Sequence, residues 1–149
     1  MKFVFELEKV LKHKRTVENV AQRDWAEAQA LVDAGMKELK ALYTQVEEAR
    51  NLVAMREKSG SARGFELGQV DEFVNGQKVR IERQRQKVRE LMGRAEELHE
   101  ALVAAARERK TFEKLKEKRF EEFKAQKKKH ELKQLDDLVV TRYKRAEGE

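Results

Sequence analysis

Apolar residues recur along this chain at alternating spacings of four and three residues, on both sides of one glycine-serine break. The first repeat covers positions 7–53, and only Lys14, Glu18 and Gly35 interrupt it. The second covers positions 70–105 and contains Gln77 and Gln84. A period of 3.5 residues keeps one narrow stripe of a helix facing a partner helix. The pattern therefore predicts two long coiled-coil helices.

The break between the repeats, residues 59–64, reads SGSARG and is rich in turn-forming residues. We predict a helix over 3–58, a turn over 59–68 and a second helix over 69–145, which fold back on each other as a single hairpin. The absence of proline agrees with long uninterrupted helices. The expected fold is all-α: a long two-helix antiparallel coiled-coil hairpin with a basic C-terminal overhang.

The two helices have unequal lengths, and this predicts a segment without a partner. With the turn centred near Ser61, Phe3 should lie opposite Phe120, and the residues that follow should overhang. Continued past Ala105, the repeat meets polar and charged residues, namely Arg109, Lys116, Arg119, Gln126 and His130. A different apolar stripe then begins, formed by Leu132, Leu135, Leu138 and Val139. We interpret the region after Ala105 as a surface for another protein.

Charge is concentrated in the same region. The chain has a net charge of +6, and residues 107–149 hold 15 basic and 10 acidic side chains. Clustered lysines can bind phosphate, but acidic residues interleave here and no base-reading motif is present. We therefore expect no nucleic-acid partner. A basic coiled-coil module that binds nucleic acid or an anionic surface, and a self-associating structural rod, remain alternatives.

The residues that usually carry chemistry are sparse or scattered. There is no cysteine, and His13, His99 and His130 lie far apart, so we expect no metal ligands and no cofactor. Paired carboxylates on an exposed helix pair lack the pocket that acid-base catalysis needs. We predict no enzyme activity. No apolar run approaches the roughly 18 residues of a membrane span, so we expect no membrane insertion and a cytosolic location.

Three stretches resemble one known family. Residues 5–15 (FELEKVLKHKR) resemble the opening of the flagellar export protein FliJ family, and residues 107–118 (RERKTFEKLKEK) resemble its later basic stretch. Glu131, the run 135–137 (LDD) and Arg142 resemble its closing segment. The resemblance implies an antiparallel coiled coil similar to the central stalk subunit of rotary ATPases. It places the protein in the bacterial cytoplasm, at the cytoplasmic face of the inner membrane at the flagellar base.

The resemblance also implies partners and sites. The partners would be the hexameric export ATPase, the membrane protein of the export gate, and export chaperones. The residues expected to bind the ATPase are Phe5, Leu7, Leu11, Arg15, Arg109, Phe112, Lys116, Arg119, Phe123, Lys127, Lys128 and Lys129. Among them, Phe5 lies off the Leu7–Leu11 stripe and is expected to face outward. Leu42 and Phe73 are expected to bind the export gate. A stalk of a virulence-type secretion system remains an alternative.

Overall fold

The structure, a computed structural model, describes residues 1–60 and 64–148. The helix α1 comprises Glu8–Lys58 and α2 comprises Gly64–Glu147, and the two pack against each other. The fold is therefore an all-α helical hairpin, which confirms the predicted fold class. Residues 61–63 of the predicted turn lie outside the described residues.

The first helix begins later than the repeat predicts. It starts at Glu8 and not at Phe3, and residues 1–5 have no helical hydrogen bonds. The backbone N–H of Glu8 donates to the carbonyl of Phe5 (3.1 Å), which closes one turn before the helix. The reason is tertiary packing: Phe5 is buried and Phe3 contacts two aromatic rings of α2, and these contacts outweigh the local helix propensity.

The break between the helices is shorter than predicted. At the end of α1, Gly60 adopts φ +69° and its N–H donates to the carbonyl of Glu57 (3.2 Å), the geometry of a glycine helix cap. The second helix begins at Gly64, so the predicted turn over 59–68 is too long. An ion pair between Glu66, in the first turn of α2, and Arg56 (3.0 Å) supports this early start. The helix continues to Glu147, beyond the predicted 145.

The chain divides into two compact units, of which each is described by itself. Unit 1 comprises Met1–Asn19 and Ala104–Glu149, and unit 2 comprises Val20–Val103. In unit 2 the helices run antiparallel, because advancing along α1 means going back along α2. Trp25 lies against His99, with ring centroids 5.5 Å apart, and Arg56 pairs with Glu66.

The core of unit 2 is a thin stripe of small apolar side chains. One buried cluster comprises Ala28, Val32 and Ala95, with Leu91 and Leu98 packed against it. A second comprises Val46, Val74 and Ile81, with Leu39, Leu42 and Val70 packed against it. All of these residues belong to the repeats identified in the sequence. The predicted seam is therefore the actual core of unit 2.

Two glutamines of the seam donate hydrogen bonds to groups on α1. Gln77 is 1% exposed; its side-chain amide donates to Gln45, and its carbonyl oxygen accepts from Arg80 (3.2 Å). The amide of Gln84 donates to the backbone carbonyl of Gly35 (3.0 Å). A buried polar group without a partner is costly, so these bonds favour one register of the helices over its neighbours.

Gly35 has a packing role in this contact. A Cβ placed at Gly35 would lie 3.1 Å from Cγ2 of Val88 and 3.5 Å from Cδ1 of Leu91. The missing side chain thus allows α2 to approach the backbone of α1 closely. By contrast, a Cβ at Gly93 in α2 would meet nothing within 4 Å.

We predict that Gly35→Leu lowers the free energy of unfolding by about 1–3 kcal/mol, because the added side chain overpacks the seam beside Val88. Gly93→Leu is the matched control and should raise the same quantity by roughly 0.5–1 kcal/mol, because it replaces an exposed helical glycine. Urea unfolding followed by circular dichroism measures both. Equal effects of the two substitutions would contradict the close approach at Gly35.

Candidate functional site

Unit 1 contains three features that bear on partner binding. The N-terminal strap is the segment Met1–Leu7. The ionic seam comprises the charged residues that join α1 to α2 beyond the strap, namely Glu8, Lys14, Arg15, Glu18, Glu108, Arg109, Glu113 and Lys116. The C-terminal extension comprises residues 124–148, which are the last part of α2 and the residue that follows it.

The N-terminal strap lies across the aromatic part of α2. The Phe3 ring contacts the rings of Phe120 and Phe123, with centroid distances of 5.1 and 5.6 Å. The predicted juxtaposition of Phe3 and Phe120 is thereby confirmed. Phe5 is 9% exposed, whereas Val4 between them is 77% exposed. The strap and α2 enclose a groove of about 340 Å³, lined on the α2 side by residues that include Leu115, Arg119 and Phe123.

The ionic seam takes the place of an apolar stripe in unit 1. Lys14 pairs with Glu108 (2.9 Å), and Lys116 pairs with Glu8 (2.8 Å). The guanidinium of Arg109 binds Glu18 across the hairpin, and another ion pair of 2.7 Å joins it to Glu113 on its own helix. The structure thus places Arg109 and Lys116, two of the residues expected to bind the ATPase, in ion pairs within the hairpin. Long cationic side chains reach carboxylates on α1 that an apolar repeat does not reveal.

Two members of the ionic seam have shifted pKa values. The side-chain hydrogen bond from Lys116 lowers the pKa of Glu8, because it stabilises the carboxylate form. The hydrogen bond to Glu18 raises the pKa of Arg109, because it stabilises the guanidinium form. Both groups stay charged at neutral pH, so the seam is an electrostatic link across this part of the hairpin.

Every residue of the C-terminal extension, 124–148, is exposed. Its apolar residues Leu132, Leu135 and Val139 follow i, i+3, i+7 spacing and so share one helix face. Leu135 is 58% and Val139 65% exposed. Lys127, Lys128 and Lys129 are also exposed. An unpartnered apolar stripe beside a basic run is typical of a protein-binding helix.

The structure separates the expected ATPase-binding residues into three groups. Leu11 is fully buried and Phe5 nearly so, and the expectation that Phe5 faces outward is wrong, because the strap turns it toward α2. The residues in ion pairs are Arg15, Arg109 and Lys116, and Phe112 lies under the ammonium group of Lys14 at 5.9 Å from its ring centroid. The accessible residues are Leu7, Arg119, Lys127, Lys128 and Lys129, with Phe123 half-buried.

The two residues expected to bind the export gate have different surroundings in unit 2. Leu42 is half-buried and packs against the cluster of Val46, Val74 and Ile81. Phe73 is 43% exposed. Of the pair, Phe73 offers the larger surface to a partner, and Leu42 mainly supports the core.

Sequence reasoning missed the acidic half of the ionic seam. In the sequence, Glu18 only interrupts the apolar repeat, and Glu8, Glu108 and Glu113 lie outside it. A signal did exist: the hairpin register that places Phe3 opposite Phe120 also places Glu18 near Arg109. Opposite charges at facing seam positions predict an ion pair once the register is known.

The part of the chain that the structure describes contains no cluster of three or more histidine, cysteine or acidic side chains that could hold a metal ion. His99 instead packs against Trp25, and His130 lies within hydrogen-bonding distance of Gln134. None of the helices in residues 1–60 and 64–148 combines the length and apolarity needed to cross a membrane.

Comparison with known proteins identifies the family. The family described as flagellar FliJ protein matches residues 2–148, which include the strap except for Met1, the ionic seam and the whole extension. The chain belongs to the FliJ family. FliJ proteins are non-catalytic components of flagellar protein export, so the chain is a flagellar export component. Comparisons with curated proteins and with solved structures gave no match.

We predict that the contribution of Glu8 to the stability of unit 1 depends on pH. Its pKa is lowered below 4.5 in the folded protein, so the contribution is present above pH 4.5 and is lost as the pH falls through the folded-state value. Glu8→Gln should therefore destabilise the protein at pH 7 and have a smaller effect at pH 3, where more of the carboxylate is protonated. Urea unfolding at both pH values measures this, with amide hydrogen exchange at the start of α1 to localise it.

The matched control is Glu117→Gln, which removes an exposed carboxylate from α2 in the same unit. It should change the unfolding free energy little at either pH, as is usual for exposed charges. A Glu8→Gln effect that is the same at pH 7 and pH 3 would show that the charge of Glu8 is not what stabilises the hairpin.

Proposed function

We propose that this FliJ-family chain is a non-enzymatic coiled-coil stalk that binds the hexameric export ATPase through unit 1. It promotes assembly and activity of the ATPase and links it to the membrane export gate and to export chaperones. Family membership supports a role in flagellar export. The particular partners are the proposal.

The C-terminal extension is the observation that carries this proposal. Its helix continues past Phe120 and Phe123, where the N-terminal strap ends the intramolecular packing, and it exposes an apolar stripe. A helix that needed no partner would gain nothing from Leu132, Leu135 and Val139 on one exposed face. A single helix with such a stripe fits a cavity within a larger assembly.

Electrostatics supports a ring with an acidic interior as that assembly. The cations of the ionic seam are neutralised within the hairpin, whereas Lys127, Lys128 and Lys129 are exposed in the extension. Exposed charges of one sign accelerate association with a surface of opposite sign. They would orient the extension before its apolar stripe is buried.

Burial and ion pairing guide our choice of the residues proposed for direct contact with the ATPase. We propose Leu7, Arg119 and the lysines at 127–129, together with the stripe of the extension. Leu11, Arg109 and Lys116 would act indirectly, because their contacts hold α1 against α2. Substituting them would disturb the hairpin as well as the complex.

The mechanism we propose is a shift of an equilibrium. If the stalk binds the assembled ATPase ring more tightly than its separate subunits, it favours the ring by that difference in affinity. The chain itself then needs no catalytic residue. Phe73, on the exposed surface of unit 2, is the residue that we propose for the gate, and Leu42 would support the core of the same unit.

We predict that the purified protein stimulates ATP hydrolysis by the export ATPase of the same organism. Replacing Lys127, Lys128 and Lys129 by glutamate should raise the half-stimulating protein concentration by about tenfold or more, because it reverses the charge that guides association. Steady-state ATPase assays over a range of protein concentrations measure this.

The control for charge reversal is the same exchange at three exposed cations of unit 2, Lys37, Lys40 and Arg50. This variant should stimulate as the unaltered chain does. No stimulation at any concentration would refute the ATPase proposal. Steep weakening of nucleic-acid binding with salt, combined with absent stimulation, would favour the alternative of a basic nucleic-acid-binding module.

We predict that Phe73→Asp weakens binding of the cytoplasmic domain of the export-gate protein by about tenfold or more, because a charge replaces an exposed aromatic anchor. Val79→Asp is the control, since Val79 is exposed on the same helix. Titration calorimetry measures both. Equal loss in the two variants, or none in either, would contradict a specific role of Phe73.

A further inference from the structure

The N-terminal strap is held by a small number of apolar contacts. Phe3 and Phe5 are directed at α2, whereas Val4 between them is mostly exposed. This alternation is that of an extended segment, whose successive side chains point to opposite sides. The ion pairs between α1 and α2 in the described residues begin at Glu8, after the strap has ended.

The surface under the strap is aromatic and only partly covered. Phe3 packs edge-on against Phe120 and also contacts Phe123, yet Phe120 remains 38% exposed. The ammonium group of Lys124 lies 4.6 Å from the centroid of the Phe120 ring. This aromatic surface, Leu115, Phe120 and Phe123, directly precedes the C-terminal extension in α2. A partner that binds the extension would therefore meet the strap.

We propose that the aromatic surface of Leu115, Phe120 and Phe123 is a binding surface for an apolar segment of the export ATPase, and that the N-terminal strap is its intramolecular competitor. The strap covers the surface in the free protein and leaves it when the ATPase segment binds. This inference rests on the proposed function, because it assigns a regulation to the same ATPase-binding end.

The strap itself indicates the chemistry of the segment that replaces it. Phe3 and Phe5, at i and i+2, place two bulky side chains against α2, while an intervening residue faces water. A competitor for this surface needs the same arrangement: a short extended segment with two large apolar side chains separated by one residue. Terminal segments with few contacts open more readily than helices in a core, so exchange at this position is feasible.

Competition between the strap and the ATPase segment predicts a different result from direct contact between the strap and the ATPase. A surface that is open one-tenth of the time binds about tenfold more weakly than one that is always open. Phe3→Ala removes the ring that covers Phe120 and Phe123, so it should tighten ATPase binding by on the order of tenfold. Phe123→Ala removes part of the surface and should weaken binding. Titration calorimetry with the purified export ATPase measures both dissociation constants.

The matched control is Val4→Ala, a substitution in the same strap at a side chain that is 77% exposed. It should leave the dissociation constant unchanged. Weakening by Phe3→Ala, comparable to that by Phe123→Ala, would overturn the competition, because the strap would then belong to the binding surface. No change with Phe3→Ala would overturn it as well. If neither the unaltered chain nor any variant binds, the proposed function itself fails.

A second measurement does not depend on how Phe3→Ala folds. Because the chain contains no cysteine, Lys2→Cys combined with Gln126→Cys introduces two unique thiols, and both positions line the groove between strap and α2. A reducible bismaleimide joining them would hold the strap closed. We expect binding to the ATPase to be lost in the cross-linked protein and restored after reduction. Equal binding in the two states would overturn the proposal.

Discussion

A two-helix hairpin can bury only one stripe of each helix, and the other properties of this protein follow from that limit. The buried residues of unit 2 are mainly alanine and valine, such as Ala28, Val32 and Val88, which fill a narrow space between two backbones. The space is narrowest at Gly35, where the backbone of α1 without a side chain lies against Val88. So thin a core stabilises the pairing of the helices but distinguishes weakly between registers that differ by one heptad.

Polar contacts distinguish the correct register of the two helices from its neighbours. The bond between Gln77 and Gln45 is formed only when these two residues face each other, and the same holds for Gln84 and the carbonyl of Gly35. A shift of register would bury the amide of Gln77 without a partner. The ion pairs of unit 1 act similarly. Partly exposed pairs contribute little to stability, but their pattern of charges opposes incorrect pairing.

The same limit explains what could be predicted from the sequence. Periodicity identified the seam and the counting of residues placed Phe3 opposite Phe120, because both depend only on helix geometry and on the position of the break. The start of α1 and the burial of Phe5 could not be found in this way. They depend on contacts with α2 that override local preference. The pairing of Arg109 with Glu18 was missed because charged side chains counted only as interruptions of an apolar pattern.

The fold is connected to a function by which charged and apolar side chains have partners within the chain and which do not. Within unit 1, cations that face α1 are neutralised by carboxylates, and the aromatic rings near Phe120 are covered by the strap. Past that point no other described residue packs against α2, yet the extension has an exposed apolar stripe. Charged residues beside the stripe limit the contiguous apolar area that the extension exposes to water. An uncovered cluster of phenylalanine side chains would instead promote association with other chains. The strap covers the aromatic surface, and the extension is left exposed. This arrangement is expected of a protein that binds a partner at this end.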